Sequence, residues 1–241
     1  MRKQASNSQT KRTYKIMNFN PLFLQDVAMK SEGSQSLWSI ISSGGILSII
    51  IVLAILIMSF IAAYIFFERF STIKRASQVD ENFMNNIRMN VQSGNIQAAI
   101  GLCKTQDSPV ARMVEKGLMR IGKPLRDIDA AIENVGNLEL FKLEKNLSTL
   151  ASIAGIAPMV GFFGTVTGMI MAFYTMATAE NVGPGQLAGG IYQALVTTAF
   201  GLVVGIFALA GYNFLVAMVD KAVFKMERST TDFMDLLQEP S

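Results

Sequence analysis

The chain has 241 residues, of which 51% are apolar and 16% charged, with a net charge of +3 and no histidine. Soluble domains carry roughly 25% charged residues, so this composition indicates a membrane protein. A single cysteine cannot form an internal disulfide, and the lack of histidine excludes histidine-dependent catalysis and histidine-ligated metal sites. The basic residues are scattered, so membrane topology explains their small excess better than nucleic-acid binding does.

Charged side chains are missing from three long parts of the chain. The stretches without Asp, Glu, Lys or Arg are 33–67, 146–179 and 181–219. A membrane-spanning helix needs about 20 apolar residues, so each stretch is long enough for one span. We predict transmembrane helices at 44–67, 147–179 and 187–216, with a short turn at 180–186. Too few polar residues remain to cover these helices as the core of a soluble protein.

The positions of Lys and Arg predict the orientation, because cytoplasmic flanks are enriched in these residues. Basic residues follow the first span (Arg69, Lys74, Arg75) and the third (Lys221, Lys225, Arg228), and the turn between the second and third spans has none. We therefore predict that 68–146 and the tail 217–241 are cytoplasmic, and that the turn and the segment 1–43 are periplasmic. Five basic residues near the N-terminus oppose this orientation, but they lie far from the first span.

The segment 68–146 has the apolar spacing of helices. We predict helices at Ser77–Val91 and Asn95–Lys104, a third from Pro109 to about Arg120, and a fourth that starts near Pro124. This fourth helix is predicted to continue without interruption into the membrane, because one stripe of apolar and small residues runs from Leu143 to Thr165. The single cysteine, Cys103, is predicted to pack against a neighbouring helix.

The second and third spans carry faces of small residues. Lipid does not drive apolar helices together, so they associate through close backbone approach and interhelical hydrogen bonds. The candidate packing residues are Gly161, Gly164 and Gly168 on the second span and Gly201 and Gly205 on the third. These faces either build a larger helix bundle or pack only the two helices of the hairpin against each other.

Three polar residues of the spans are candidates for function. Thr165 and Thr198 are packing residues if their hydroxyls return to a carbonyl one turn back, and are functional if they face a polar path. Gln193 is costly in hydrocarbon unless it is paired, although it lies near the outer end of its span. The spans contain no Asp, Glu, His, Lys or Arg, the usual marks of a proton path. Either this chain does not conduct, or a partner helix brings the titratable group.

The hairpin closely resembles the ExbB/TolQ/MotA family of proton-channel subunits in two segments, IAGIAPMVGFFGTVTGMIMAFYTM (153–176) and LAGGIYQALVTTAFGLVVGIFALAGYNFL (187–215). The specific pattern is APxxGxxGTVxGM at Ala157–Met169. The resemblance extends upstream through FIAAYIFFERF (60–70) and GNLELFKLEKNLSTLASIAG (136–155), and within the family it is nearest to ExbB of the Bacteroidetes type.

The predicted fold is an all-α membrane protein of three transmembrane helices, with long helices that extend into a helical cytoplasmic domain. The resemblance implies that the chain assembles as a pentameric ring in the bacterial inner membrane. It also implies that the ring surrounds a dimer of an ExbD-like single-span partner, whose aspartate carries protons. Proton-motive force would then act on a TonB-like protein that opens outer-membrane transporters. No cofactor and no enzymatic activity is implied.

The resemblance also suggests roles for individual residues. Thr165 in GTV and Thr198 in VTTAFGL match two pore-facing threonines, whose hydroxyls can donate to and accept from the partner's aspartate. Pro158 matches a proline that eases a bend in the second span. Gln193 stands where most ExbB-like sequences have Glu, so a polar contact at the pore or its rim is expected there rather than a proton relay.

Other interpretations use the same residues. A TolQ-like or motility subunit is the nearest, although MotA-like proteins normally have a fourth span. A non-conducting membrane scaffold is a second alternative. An enzyme is a distant third, because Asp127, Asp129 and Glu133 have the spacing of a solvated helix surface. The first 36 residues match no family and are interpreted as a loose tail or as a periplasmic arm that touches the TonB-like partner.

Overall fold

A computed structural model describes residues 45–78, 82–178 and 183–238. The prediction of a periplasmic segment at 1–43, and residues 180–182 of the predicted turn at 180–186, lie outside the described residues. Within them the chain forms seven α-helices and no strand. The helices are α1 (Gly45–Ala76), α2 (Phe83–Gln92), α3 (Ile96–Thr105), α4 (Pro109–Leu118), α5 (Leu125–Glu144), α6 (Leu147–Thr178) and α7 (Pro184–Gln238).

Three segments of the described chain are long and apolar enough to cross a membrane, and they contain α1, α6 and most of α7. This confirms the prediction of an all-helical protein with three candidate spans. Their outer surfaces are apolar: Phe60, Met159 and Phe207 are each 70% exposed or more. Side chains of this kind on the outside of a helix bundle are suited to lipid rather than to water.

The last helix is much longer than a membrane span. At about 1.5 Å per residue, the 55 residues of α7 extend to roughly 80 Å, whereas the hydrocarbon core of a bilayer is about 30 Å thick. Its final turns bury Phe233 and Leu236 against the extramembrane helices, by which we mean α2–α5. One continuous helix therefore connects the membrane bundle to the extramembrane core.

Two predicted helices have different bounds in the structure. Helix α2 begins at Phe83 rather than at Ser77, because α1 continues to Ala76 and the N–H of Ser77 donates to the carbonyl of Ile73 (2.9 Å). The helix that starts after Pro124 was predicted to enter the membrane without interruption, and this is wrong. It ends at Glu144, and α6 begins at Leu147.

The interruption lies at two residues with non-helical backbone. Lys145 is extended, with φ −50° and ψ 133°, and Asn146 adopts a positive φ of 64°. Asparagine tolerates this left-handed conformation better than most residues do. Leu143, Leu147 and Leu150 are nevertheless all buried, so the apolar stripe continues across the break and conceals it from pattern analysis.

The extramembrane core is built from apolar side chains of α2–α5. Cys103 belongs to it and is 2% exposed, in agreement with its predicted packing role. Burial raises the pKa of its thiol to about 12, so the group stays protonated and unreactive near neutral pH. The ring of Phe233 from α7 is fully buried beside Gly117 of α4.

This contact gives a test of how α7 is held. A Cβ at residue 117 would lie 2.5 Å from Cε1 of Phe233 and 2.8 Å from Cδ1 of Ile132, so Gly117→Ala should lower stability by about 1–3 kcal/mol through overpacking. Thermal unfolding of the detergent-purified protein measures this. Gly101→Ala, where a Cβ meets nothing within 4 Å, is the matched control and should be neutral or slightly stabilising. Equal unfolding temperatures for the two variants would contradict the packing described here.

Candidate functional site between the two hairpin helices

The site is built where the backbones of α6 and α7 come closest. A Cβ on Gly201 would lie 2.7 Å from the carbonyl oxygen of Ala157 and 2.9 Å from Cα of Gly161. A Cβ on Gly161 would lie 3.0 Å from the carbonyl oxygen of Thr197. Because these neighbours are backbone atoms, no side-chain rearrangement could make room. Glycine at both positions is therefore what lets the two helices touch.

The other predicted small residues extend this contact along the hairpin. Gly164 faces Thr197, Gly168 faces Ala194, and Gly205 lies against the ring of Pro158. Within one chain these faces thus pack the two hairpin helices against each other. Pro158 lies inside the helical range of α6. Its predicted role in a bend stays a prediction.

Thr165 and Thr198 lie opposite each other across this contact. Their two hydroxyls are hydrogen-bonded to each other. The Thr198 hydroxyl also donates to the carbonyl of Gly161 on α6 (3.0 Å), and the Thr165 hydroxyl reaches the carbonyl of Ala194 on α7 (3.2 Å). The structure therefore brings together the two threonines singled out from the sequence, and both side chains stay partly exposed.

Other threonines of the same helices behave differently. Thr167, Thr175 and Thr178 each donate to the carbonyl four residues earlier at 2.9 Å, which is the ordinary packing arrangement. For Thr165 the corresponding distance is 3.5 Å, and Thr198 bonds across to α6 instead. Thr165 and Thr198 therefore differ from these three residues in bonding across the contact to the other helix.

This pair has unused hydrogen-bonding capacity. Each hydroxyl carries one hydrogen and two acceptor lone pairs. The two hydrogens supply one bond between the threonines and one to the carbonyl of Gly161, so Thr165 can donate to the carbonyl of Ala194 only when it gives up its bond to Thr198. Most of the lone pairs on the two oxygens stay open. A donor brought from outside the chain, such as a protonated carboxyl, could bond to them. The pair itself has no group that titrates near neutral pH.

Gln193 lies on α7 about one turn before this pair. It is 9% exposed, and its amide Nε2 donates to the hydroxyl of Ser48 on α1 (3.1 Å). The contact explains how an amide is accommodated in an apolar bundle, since a buried polar group needs a partner. It also joins the start of α1 to the hairpin. A pore or rim contact of Gln193 stays a prediction.

Two residues at this site were not predicted from the sequence to have a functional role. Thr197 is 3% exposed, donates to the carbonyl of Ala194 (2.7 Å) and fills the space beside Gly164. Its position next to Thr198 in the VTT motif is the sequence feature that could have identified it. Ser48 is a lone hydroxyl in an aliphatic run, and only the fold identifies its partner. In the described part of the chain, no group of three or more His, Cys, Asp or Glu side chains could hold a metal ion.

A comparison with known families matches residues 105–228, more than half of the chain, to the MotA/TolQ/ExbB proton channel family. The chain belongs to this family. The match contains the whole hairpin contact, including Gly161, Thr165, Thr198 and Gly201, together with α4 and α5. The MotA/TolQ/ExbB family is one of proton channels rather than of enzymes.

The chain is similar to relatives named ExbB and to relatives named TolQ. An ExbB homologue of biopolymer transport from Methanothermobacter thermautotrophicus is 30% identical over 77% of this chain and 64% of its own length. The Tol-Pal system protein TolQ of Pseudomonas aeruginosa is 27% identical over 84% of this chain and 92% of its own. The biopolymer transport protein ExbB of Xanthomonas campestris is 30% identical over 45% of this chain and 43% of its own length. The chain thus spans less than two thirds of the first of these relatives.

The close approach of α6 and α7 can be tested by a substitution that adds one methyl group at the contact. Gly201→Ala should separate the helices and lower stability by about 1–3 kcal/mol, because the new Cβ meets backbone that cannot rotate away. Thermal unfolding in a mild detergent measures the change. The matched control is Gly155→Ala on α6, where a Cβ meets nothing within 4 Å and the position is exposed. If both variants unfolded at the same temperature, the glycine contact would not be what holds the hairpin.

Proposed function

We propose that the chain is an ExbB-like subunit of a proton-driven motor in the bacterial inner membrane. Five copies form a ring around a dimer of an ExbD-like single-span partner, and proton-motive force acts through a TonB-like protein on outer-membrane transport. The extramembrane helices and the end of α7 are cytoplasmic, and the hairpin turn and the residues before α1 are periplasmic. Support for this orientation comes from the basic residues that follow α1 and the uncharged turn between α6 and α7.

The observation that carries the proposal is the contact between the hydroxyls of Thr165 and Thr198 on the two helices of the matched hairpin. The three uncharged stretches contain no Asp, Glu, His, Lys or Arg. A proton path through these helices therefore needs a titratable group from elsewhere, which the partner's aspartate supplies.

In the proposed mechanism the hydroxyl pair serves both states of that aspartate. When the carboxyl is protonated, its O–H donates to an open lone pair on a threonine oxygen. When it is ionised, the carboxylate accepts a hydrogen bond from one threonine hydroxyl, which gives up its bond to the other threonine or to a carbonyl. The pair thereby lowers the cost of holding either form in an apolar surrounding without taking up the proton itself. Gly161 and Gly201 contribute by bringing the two hydroxyls within reach of each other.

The remaining polar and bent features have supporting roles in this proposal. Gln193 provides a neutral polar contact near the periplasmic rim of the ring, since an amide cannot relay a proton as a carboxylate does. Pro158 eases a bend of α6 beside Gly205. Membrane lipid covers the outer apolar surface, where Phe60 and Phe207 are exposed.

A TolQ-like role is the second candidate, and one observation favours it. The similarity to TolQ of Pseudomonas aeruginosa covers 84% of this chain and 92% of that protein, whereas the similarity to the ExbB homologue of Methanothermobacter thermautotrophicus covers 77% and 64%. Both roles use the same hydroxyl pair. The periplasmic domain of the single-span partner, identified from the purified complex, separates them.

The function is tested by removing each hydroxyl at nearly constant volume. Thr165→Val and Thr198→Val should each reduce proton-driven transport by about tenfold or more, because a hydrogen bond to a charged group contributes about 1.5–3 kcal/mol. The measurement is uptake through outer-membrane transporters in cells whose only copy of the gene is the variant. Thr175→Val is the matched control, since that hydroxyl only returns to Met171 on its own helix, and it should keep full activity.

Native mass spectrometry of the same variants shows whether assembly is intact. A mass of five copies plus two partner chains, retained in Thr165→Val and Thr198→Val, is the expected result. Normal transport by both valine variants would contradict the conducting role and favour a non-conducting scaffold. A homo-oligomer without partner chains, reproduced in several mild detergents, would remove the source of the titratable group.

A further inference from the structure

The break between α5 and α6 has a hydrogen-bonding consequence. The last carbonyl groups of an α-helix lack partners within the helix and need them from elsewhere. At the end of α5, the carbonyl of Lys142 accepts a hydrogen bond from Nη1 of Arg69 (3.1 Å). Arg69 belongs to α1, so a side chain of a membrane helix supplies a hydrogen-bond donor to the end of α5.

Arg69 is unusual for a cation, because it is only 5% exposed. Its guanidinium is paired with the neighbouring carboxylate of Glu68, through Nε (3.1 Å) and through Nη2. A planar guanidinium can bond to a carboxylate on one edge and to a carbonyl on the other, which a lysine ammonium cannot reproduce. A cation at this place also interacts favourably with the negative end of the α5 dipole.

The end of α5 is connected to the other extramembrane helices by ion pairs. The side chain of Lys142 bonds to Glu139 (2.7 Å), and Glu139 bonds to Arg112 of α4 (2.6 Å). On the other side of the break, α6 starts at Leu147 and carries Thr165. The Arg69–Lys142 contact therefore lies between α6, which bears Thr165, and the extramembrane helices.

Apart from this contact, little backbone bonding would hold the break in one geometry. Lys145 and Asn146 are non-helical, and the first α-helical bond after them runs from the N–H of Leu150 to the carbonyl of Asn146 (3.2 Å). Arg69 itself is well anchored, because Phe66 and Phe70 on both sides of it contact Phe214 of α7 with centroid distances of 6.4 and 6.2 Å.

We propose that Arg69 is a positioning residue whose guanidinium joins the carboxyl end of α5 to α1, so that this end of α5 and the break after it move together with the membrane helices. Without it, the two non-helical residues let the end of α5 move locally, while the buried Leu143 and Leu147 and the continuous helix α7 still connect the two parts. The consequence for transport rests on the proposed function, since it requires that work done at the hydroxyl pair reaches the rest of the ring. The mechanical part stands on the geometry alone.

The test compares two identical substitutions on the same helix. Arg69→Lys keeps the charge and loses the double contact, whereas Arg75→Lys changes an exposed arginine one and a half turns later. Hydrogen–deuterium exchange of the complex with its partner chains, read by mass spectrometry, reports on the backbone around the break. Arg69→Lys should raise exchange at 138–150 at least tenfold, with 83–118 unchanged, and Arg75→Lys should match the wild type at both.

The outcomes separate this inference from the proposed function. Wild-type exchange at 138–150 in Arg69→Lys would overturn the inference. So would a rise in exchange over the whole protein, because that would indicate a general loss of stability and not a local loss of positioning at the break. If Arg69→Lys fails to assemble, Glu68→Gln keeps the arginine, removes its paired charge and should give a smaller rise at the same residues. Transport should fall in Arg69→Lys with the complex mass unchanged. If Thr165→Val transports normally while Arg69→Lys raises exchange locally, the positioning role stands and the proposed function falls.

Discussion

The contact of α6 with α7 at Gly161 and Gly201 is the constraint on which the rest of the membrane bundle depends. In hydrocarbon there is no hydrophobic gain from joining two apolar helices, so their association relies on close packing and on hydrogen bonds. Backbone-to-backbone contact needs glycine at both positions, because a Cβ would meet carbonyl oxygens and Cα atoms. Once the backbones touch, short side chains on either helix can reach carbonyl groups of the other.

The behaviour of the threonines follows from that distance. A threonine that faces away from the contact, such as Thr175, has only its own helix as a source of acceptors. Thr165 and Thr198 lie beside the glycines, where a neighbouring helix offers both a hydroxyl and carbonyl groups. The same residue type thus has two different roles in one hairpin, and the separation of the backbones decides which.

Polar contacts near both ends of α1 complement the apolar packing. Up to residue 67 the helix is apolar around its whole circumference, so the sequence of this part gives no preferred face. Ser48 bonds to Gln193 near one end, and Arg69 bonds to Lys142 near the other. Directional bonds of this kind fix the rotation of a helix about its axis and its position along the membrane normal, which dispersion forces alone would leave poorly defined. The second of them also connects the membrane helices to the extramembrane core.

The sequence by itself determined the helical class, the three apolar segments, the small-residue faces and the two threonines, because charge and residue size are visible along the chain. It did not reveal the break at Lys145–Asn146, since the buried stripe from Leu143 to Leu150 continues across it. It also could not identify Ser48 as the partner of Gln193, or the Lys142 carbonyl as the acceptor for Arg69. Those pairs join residues far apart in the chain, and only the tertiary structure decides which distant polar groups come within hydrogen-bonding distance.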